Sequence, residues 1–279
     1  LGLAYKLLVH RPFVYTVPAL FEQMREAGLG WAPGLYRRFH GWVDRFYTAY
    51  PSELQNLGVP DGKIEVLEGV LDLDEVETLR GKKERFRREV RDRLGVGDEA
   101  PLLLSVGRLH PSKGHEYGAA ALPHVLAKFP EAHWIVLGQG PGRPELEAQI
   151  RRLGCAEHVH LEGFVQEPLP YYAAADVFLR TYVTEAENLS SYQAMGMGLP
   201  VVGFDTGAET ELLRVARHGT LVPNRDATAL ARGVIDLLSA PDHRRIAGER
   251  GLAYARNRLD VRSSLEAFRR DYRRLAQAV

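Results

Sequence analysis

Short apolar runs rich in Val, Leu and Ile alternate along the chain with longer stretches that place apolar residues every three or four positions. The short runs fall at 13–17, 46–50, 63–67, 102–106, 133–137, 159–161, 177–179, 200–202 and 220–222. Most end at Gly, Pro or a polar turn, as strands buried on both faces of a parallel sheet do. Helical periodicity covers 115–128, 143–153, 190–197, 227–238 and 242–257. This alternation predicts an α/β fold with helices on both faces of a parallel sheet. No repeat with a period of roughly 20–50 residues occurs, which excludes a solenoid.

The pattern breaks between residues 70 and 100. The run Gly81 to Glu89 is charged and lacks a continuous apolar stripe, and the turn-like Gly95-Val96-Gly97-Asp98 follows it. It reads as a solvated helix joining two domains. Beyond it, residues 101–257 hold six strand–helix units, enough for a complete domain. Before it, residues 1–70 hold about three strands, too few to bury both faces of a parallel sheet. A last helix is predicted at 261–278, where Val261, Leu265, Phe268, Tyr272 and Leu275 share one helical face.

Composition acts mainly by exclusion. The 279 residues carry 36 basic and 36 acidic side chains, a formal net charge of zero. A protein that binds nucleic acid by neutralising phosphates carries a basic excess, so no nucleic-acid partner is expected. Cys155 stands alone, which excludes an intrachain disulfide. No apolar run approaches the roughly 20 residues of a membrane span. A cytoplasmic location is therefore expected, with room for peripheral membrane contact. The chain opens at Leu1 on residues that read as the end of a helix already under way, so an N-terminally truncated sequence is expected.

Three glycine-rich segments compete as sites. Gly138-Gln139-Gly140-Pro141-Gly142 follows a strand and precedes a helix, but it lacks the G-x-G-x-x-G spacing of a dinucleotide fingerprint and reads as a structural turn. No P-loop motif and no His or Cys cluster at metal-ligand spacing occurs in the sequence, so no metal is expected. In Ser105-Val106-Gly107-Arg108-Leu109-His110-Pro111-Ser112-Lys113-Gly114, a strand ends at Gly107 and two cations follow. Arg108 and Lys113 stand where open α/β sheets bind ligands, and an Arg fork with a Lys point charge suits a diphosphate. The alternative is two solvated surface cations. In Thr184-Glu185-Ala186-Glu187-Asn188-Leu189-Ser190-Ser191-Tyr192-Gln193, Asn188 or Ser190 can cap a helix whose free N–H groups would form an anion site.

The order of these two segments, with Leu137-Gly138-Gln139-Gly140-Pro141 and Leu161-Glu162-Gly163-Phe164-Val165 between them, resembles the C-terminal nucleotide-sugar domain of a GT-B glycosyltransferase of the retaining family four group. Gly207-Ala208-Glu209-Thr210-Glu211-Leu212 resembles that family's Gly-Gly-x-x-Glu turn, with Ala208 replacing the second Gly. Gly219 to Asp226 matches the strand and loop that follow. The resemblance covers roughly residues 60–278. It implies a remnant of an N-terminal, acceptor-side Rossmann-like domain at 1–75, a linker at 76–100, a complete nucleotide-sugar-binding Rossmann-like domain at 101–258, and a C-terminal helix at 259–279 that packs back on the N-terminal part near residues 1–20.

It also implies roles, position by position. Arg108 and Lys113 hold the donor pyrophosphate, and Gly107 lies beside them. The backbone of Asn188, Leu189 and Ser190 shares that load. Glu185 contacts the transferred sugar, with Glu187 as a less well spaced alternative, and Gln193 binds the ribose hydroxyls. Phe164 and Val165 border the base. Two positions depart from the family pattern: Gln193 replaces the second glutamate of the Glu-x7-Glu motif, and Pro18 stands where a sugar-contacting His is usual. A neutral amide can still bond a hydroxyl; proline offers no side-chain donor or acceptor.

The expected function is retaining transfer of a hexose from a UDP-, GDP- or ADP-sugar to an acceptor (a sugar, lipid or small molecule), with no cofactor beyond the donor. The alternative is a catalytically silent nucleotide-sugar or diphosphate-binding domain from a split or degenerate transferase. A related phosphorylase or epimerase is a third reading. The phosphorylase would need a pyridoxal-phosphate lysine, and no lysine follows Lys128.

Overall fold

The computed structural model describes the backbone of residues 14–16 and residues 41, 43–48, 51–184, 189–206 and 213–277, without the side chains of 52 and 53. The chain divides into two compact units, Leu1–Val70 with Arg258–Val279, and Leu71–Asn257.

The smaller unit carries a parallel sheet of β1 (Val14–Thr16), β2 (Arg45–Thr48) and β3 (Ile64–Val66) in sequential order. A short helix, α1 (Pro51–Asn56), lies between the last two strands, and Leu54 packs with Val43, Phe46 and Val59 in a small core. The last helix of the chain, Val261–Gln277, belongs to this unit. Its apolar stripe does not set its buried face. The residues it buries are Ser264, Ala267 and Asp271, while Leu265 and Tyr272 are about half exposed. The cause is polar: Arg45 donates to Asp271 at 2.7 Å and to Glu65 at 2.7 Å, and Arg270 also reaches Glu65. From the stripe, Phe268 meets a strand, its ring centroid 4.4 Å from that of Tyr47. Burial, then the Asp271 carboxylate, pushes the Tyr47 hydroxyl up to about 12. The contacts fall on 45–47 and 65; residues 1–13 and 17–20, where docking was expected, lie outside the described ones.

The larger unit is a six-stranded, wholly parallel sheet. Its strands are β4 (Leu102–Val106), β5 (His133–Leu137), β6 (Val159–Gly163), β7 (Val177–Arg180), β8 (Val201–Phe204) and β9 (Gly219–Val222). They lie in the order β6-β5-β4-β7-β8-β9. The central strands are apolar on both sides because helices cover both faces. Leu103, Trp134, Val177 and Val202 point to one core, filled by α4 (His115–Leu126), α5 (Arg143–Arg152) and α8 (Ala227–Ser239). Their neighbours Leu102, Leu104, Ile135 and Phe178 point to the other, filled by α3 (Lys83–Leu94), α6 (Leu169–Ala174) and α7 (Leu189–Gly196). Helix α9 (Pro241–Arg258) follows, and the last helix is α10. Among the described residues no helix is long and apolar enough to cross a membrane.

The segment 76–100, expected as a linker, is structured within the larger unit. After α2 (Leu73–Arg80), whose first turn is capped by the Asp72 carboxylate, α3 turns Arg91 inward until it is fully buried. Arg91 donates to the carbonyls of Gly97 and Ala100 and to Asp176 at 2.9 Å, so its charge and most of its donors are met inside. The helix itself was expected, but as a solvated one; its buried side, Val90 and Arg91, was not.

Candidate functional site

The sheet order reverses between β4 and β7: the chain runs outward through β5 and β6 on one side and through β8 and β9 on the other. In open α/β sheets the crevice outside the carboxyl ends of the strands at such a reversal binds ligands. Both candidate segments lie there, Gly107–Gly114 after β4 and, after β7, residues 181–184 and 189–190.

The loop after β4 is held from both sides. Gly114 has φ +61°, and a Cβ on it would lie 2.2 Å from the Thr181 carbonyl oxygen, so only glycine permits this approach of the two loops. The Thr181 hydroxyl donates to the Lys113 carbonyl at 2.7 Å, and the Val183 N–H donates to Ser112. On the other flank the glycine turn after β5 serves as a buttress. A Cβ on Gly138 (φ +147°) would meet the Gly107 carbonyl oxygen at 1.9 Å, and Gly142 N–H donates to Leu109. That turn is structural, as its spacing indicated.

Sequence reasoning missed Tyr182. Its buried hydroxyl lies 2.8 Å from the Val106 carbonyl, to which it donates, and 2.7 Å from the Ser190 hydroxyl, tying the end of β4 to the first turn of α7. The Lys113 ammonium sits 3.9 Å above its ring centroid, and the Arg180 guanidinium lies 4.8 Å from it. The structure thus joins Gly107, Lys113 and Ser190 around one side chain. The sequence offered a faint signal, a hydroxyl-bearing aromatic just past a buried strand, with no motif to mark it. Replacing Tyr182 by Phe is expected to lower the unfolding free energy by about 1–2 kcal/mol, the loss of a buried hydroxyl bridge. An unchanged urea midpoint would show that the bridge holds nothing.

The remaining candidates are spread around this centre. Arg108 is exposed, with its guanidinium at the protein surface. Leu189, half exposed, opens α7, and Ser190 behind it is buried. Gln193 is half-buried one turn on and accepts from Tyr172 at 3.2 Å; complete burial holds that tyrosine's pKa well above the usual value. Phe164 (70% exposed) and Val165 follow β6, two strands from β4 and thus about 10 Å across the sheet. Glu185, Glu187, Asn188, Pro18 and the turn 207–212 lie outside the described residues. Among the described residues no cluster of His, Cys, Asp or Glu is arranged to hold a metal ion. A cavity of about 560 Å³ lies not between the two loops but on the β5 side of the β4 loop, lined by Leu109, His115, Pro141 and Leu146 among others.

Residues 100–240, half of the chain, match the family model described as glycosyl transferases group 1. The chain is 32% identical over 178 residues (61% of it and 46% of the relative) to a GDP-mannose-dependent alpha-(1-6)-phosphatidylinositol monomannoside mannosyltransferase of Mycolicibacterium smegmatis. It is 30% identical over 220 residues (73% of it and 49% of the relative) to D-inositol 3-phosphate glycosyltransferase 2 of Catenulispora acidiphila. It therefore spans about half the length of the curated relatives it matches. Its fold resembles that of Anabaena HepE, solved in complex with UDP, with a TM-score of 0.81 at 22% identity over 97% of this chain and 74% of that one. Sucrose-phosphate synthase from Thermosynechococcus elongatus gives a TM-score of 0.79 at 21% identity, over 99% of this chain and 71% of that one. The architecture is α/β of the GT-B type, and the chain belongs to the glycosyl transferases group 1 family.

Proposed function

We propose that this chain binds a nucleotide-diphosphate sugar and serves transfer of its hexose, with retention, to an acceptor. The observation that carries this reading is the convergence of Lys113 and the N-terminus of α7 at the switch point, fastened together by Tyr182. Breaking the bond between sugar and diphosphate leaves negative charge on the leaving group. Cations and free helix N–H groups fixed in advance stabilise that charge as it grows. Arg108 and Lys113 would carry most of it, with the backbone of Asn188, Leu189 and Ser190. Gly107, lacking a side chain, lets the diphosphate approach the strand end. Gln193 would bond the ribose, Phe164 and Val165 would border the base, and Glu185 would face the sugar. The GDP-mannose dependence of the Mycolicibacterium smegmatis relative and the UDP complex of HepE support a nucleotide-sugar donor.

The test separates the sugar contact from the diphosphate contacts. Replacing Glu185 by Ala should lower turnover about 100-fold or more, the scale for one general catalytic group, while UDP or GDP affinity by calorimetry changes less than about threefold, within 0.7 kcal/mol. Equal losses in both would place Glu185 on the nucleotide and not on the sugar.

A further inference from the structure

A second cavity, of about 330 Å³, opens at the opposite edge of the larger unit's sheet. Asp176 and Pro200, which line it, immediately precede β7 and β8, so it sits at the amino ends of the strands, the end of the sheet opposite the candidate donor site. Five cations line it, Arg80, Lys83, Arg87, Arg244 and Arg245, against the carboxylates of Asp176 and Glu249.

Most of that charge is already matched. Arg87 pairs with Asp176, Arg80 with Glu77, and Arg245 with Glu249 at 2.8 Å and Asp242 at 3.7 Å. Lys83 and Arg244 have no ion pair or side-chain hydrogen bond among the described residues, and the buried Nε of Arg80 has no partner. Burial and the nearby Arg87 and Arg80 push the Lys83 ammonium below its usual range, against the weaker pull of Glu84 and Asp176.

Both unmatched cations stand at a helix N-terminus. Lys83 opens α3, where the preceding Lys82 gives no side-chain cap, and Arg244 lies in the first turn of α9. A helix N-terminus carries partial positive charge and favours anions, so cations placed there, beside other cations, cost free energy until an anion arrives. Asp242 and Glu84 in the same turns offset part of this, and Arg245 engages Asp242. Two unmatched positive charges correspond to one phosphomonoester, which carries about −1.5 to −2 at neutral pH. The volume also falls at the lower end of ligand-site sizes, roughly 300–1,000 Å³.

We propose that this cavity binds a small phosphate-bearing molecule, its phosphate held between Lys83 and Arg244, independently of the donor site. The proposal does not rest on the reading of Arg108 and Lys113.

The probe is inorganic phosphate, titrated by calorimetry at constant ionic strength into the whole chain, the Arg108→Ala/Lys113→Ala double variant, and the Lys83→Ala and Arg244→Ala single variants. The expected result is binding that persists in the first two proteins and is weakened at least about 10-fold in each of the last two. Both single variants should fold, because neither side chain is paired. Their melting temperature without phosphate should equal or exceed that of the unchanged chain, since repulsion is relieved, whereas a structural role would lower it. Absence of phosphate binding, its loss only in the Arg108/Lys113 variant, or equal binding in all four proteins would overturn the proposal. So would association with phosphatidylglycerol vesicles without binding of free phosphate, which would make a lipid headgroup the source.

Discussion

Lowering the pH from 7 to 5 is expected to cost the larger unit about 4 kcal/mol of folding free energy, and to pH 4 about 6 kcal/mol. Two buried imidazoles set this. His115, the first residue of α4, faces Trp134 with ring centroids 6.5 Å apart. Burial pushes its pKa down to about 4; the nearby Gly107 and Arg108 carbonyls favour the proton but do not reach hydrogen-bond geometry with either ring nitrogen. His218, between Leu213 and β9, is also fully buried and lowered to about 4 by loss of water, although its Nδ1 lies 3.1 Å from the Ala247 carbonyl. In the unfolded chain both titrate near 6.5. The folded pKa is thus the lower one, and between about 6.5 and 4 the unfolded chain binds more protons. Stability is therefore fully present above pH 6.5 and lost as the pH falls towards 4. His133 and His160, whose ring nitrogens lie 3.1 Å apart, are lowered by burial as well and act with the same sign. Carboxylates join only below about pH 5, so the window from 7 to 5 isolates the histidines. Urea unfolding at half-unit pH steps measures the slope. A free energy that stays level across that window, or histidine resonances of 115 and 218 titrating near 6.5, would refute the assignment.

How much of this was legible in the sequence depended on what each residue packed against. β4 and β5 begin and end where their apolar runs do, because a strand covered on both faces is apolar at almost every position and its run stands out from the turns around it. Helices α5 and α8 were legible for the complementary reason, a solvated face that alternates with a buried one. The short α6 was not, since Leu169-Pro170-Tyr171-Tyr172-Ala173-Ala174 is buried almost throughout and shows no period. Two polar anchors were also hidden. Arg91 and Asp271 sit on charged helices, and a sequence cannot tell an arginine or aspartate that turns inward to a partner far along the chain from one that faces water. Of the candidate site, Gly107, Lys113 and Ser190 were legible because chemistry and position coincide at a strand end. Tyr182 was not, because its role is to join them, and only the parallel pairing of β4 with β7 brings its loop beside theirs.

Removal of Arg108 and Lys113 should separate binding from stability more sharply than any other change in this chain. A hydrogen bond to a charged group contributes about 1.5–3 kcal/mol, so each replacement by Ala should weaken UDP or GDP binding about 10- to 150-fold. The two cations act on one diphosphate, so the double variant need not show the product of the two losses. Stability should respond quite differently. Arg108 is exposed, and its removal should shift the unfolding free energy by no more than about 0.5 kcal/mol. The Lys113 ammonium lies against the Tyr182 ring, and losing that contact should cost about 0.5–1 kcal/mol. Its backbone carbonyl, which receives the Thr181 hydroxyl, remains in any substitution, so the loop should keep its place. Calorimetric titration of the diphosphate and urea unfolding, run on the same preparations, read the two effects. Unchanged affinity in both single variants would remove the diphosphate from this end of the sheet, and a loss of affinity matched by a loss of several kcal/mol of stability would reduce the two cations to structural supports.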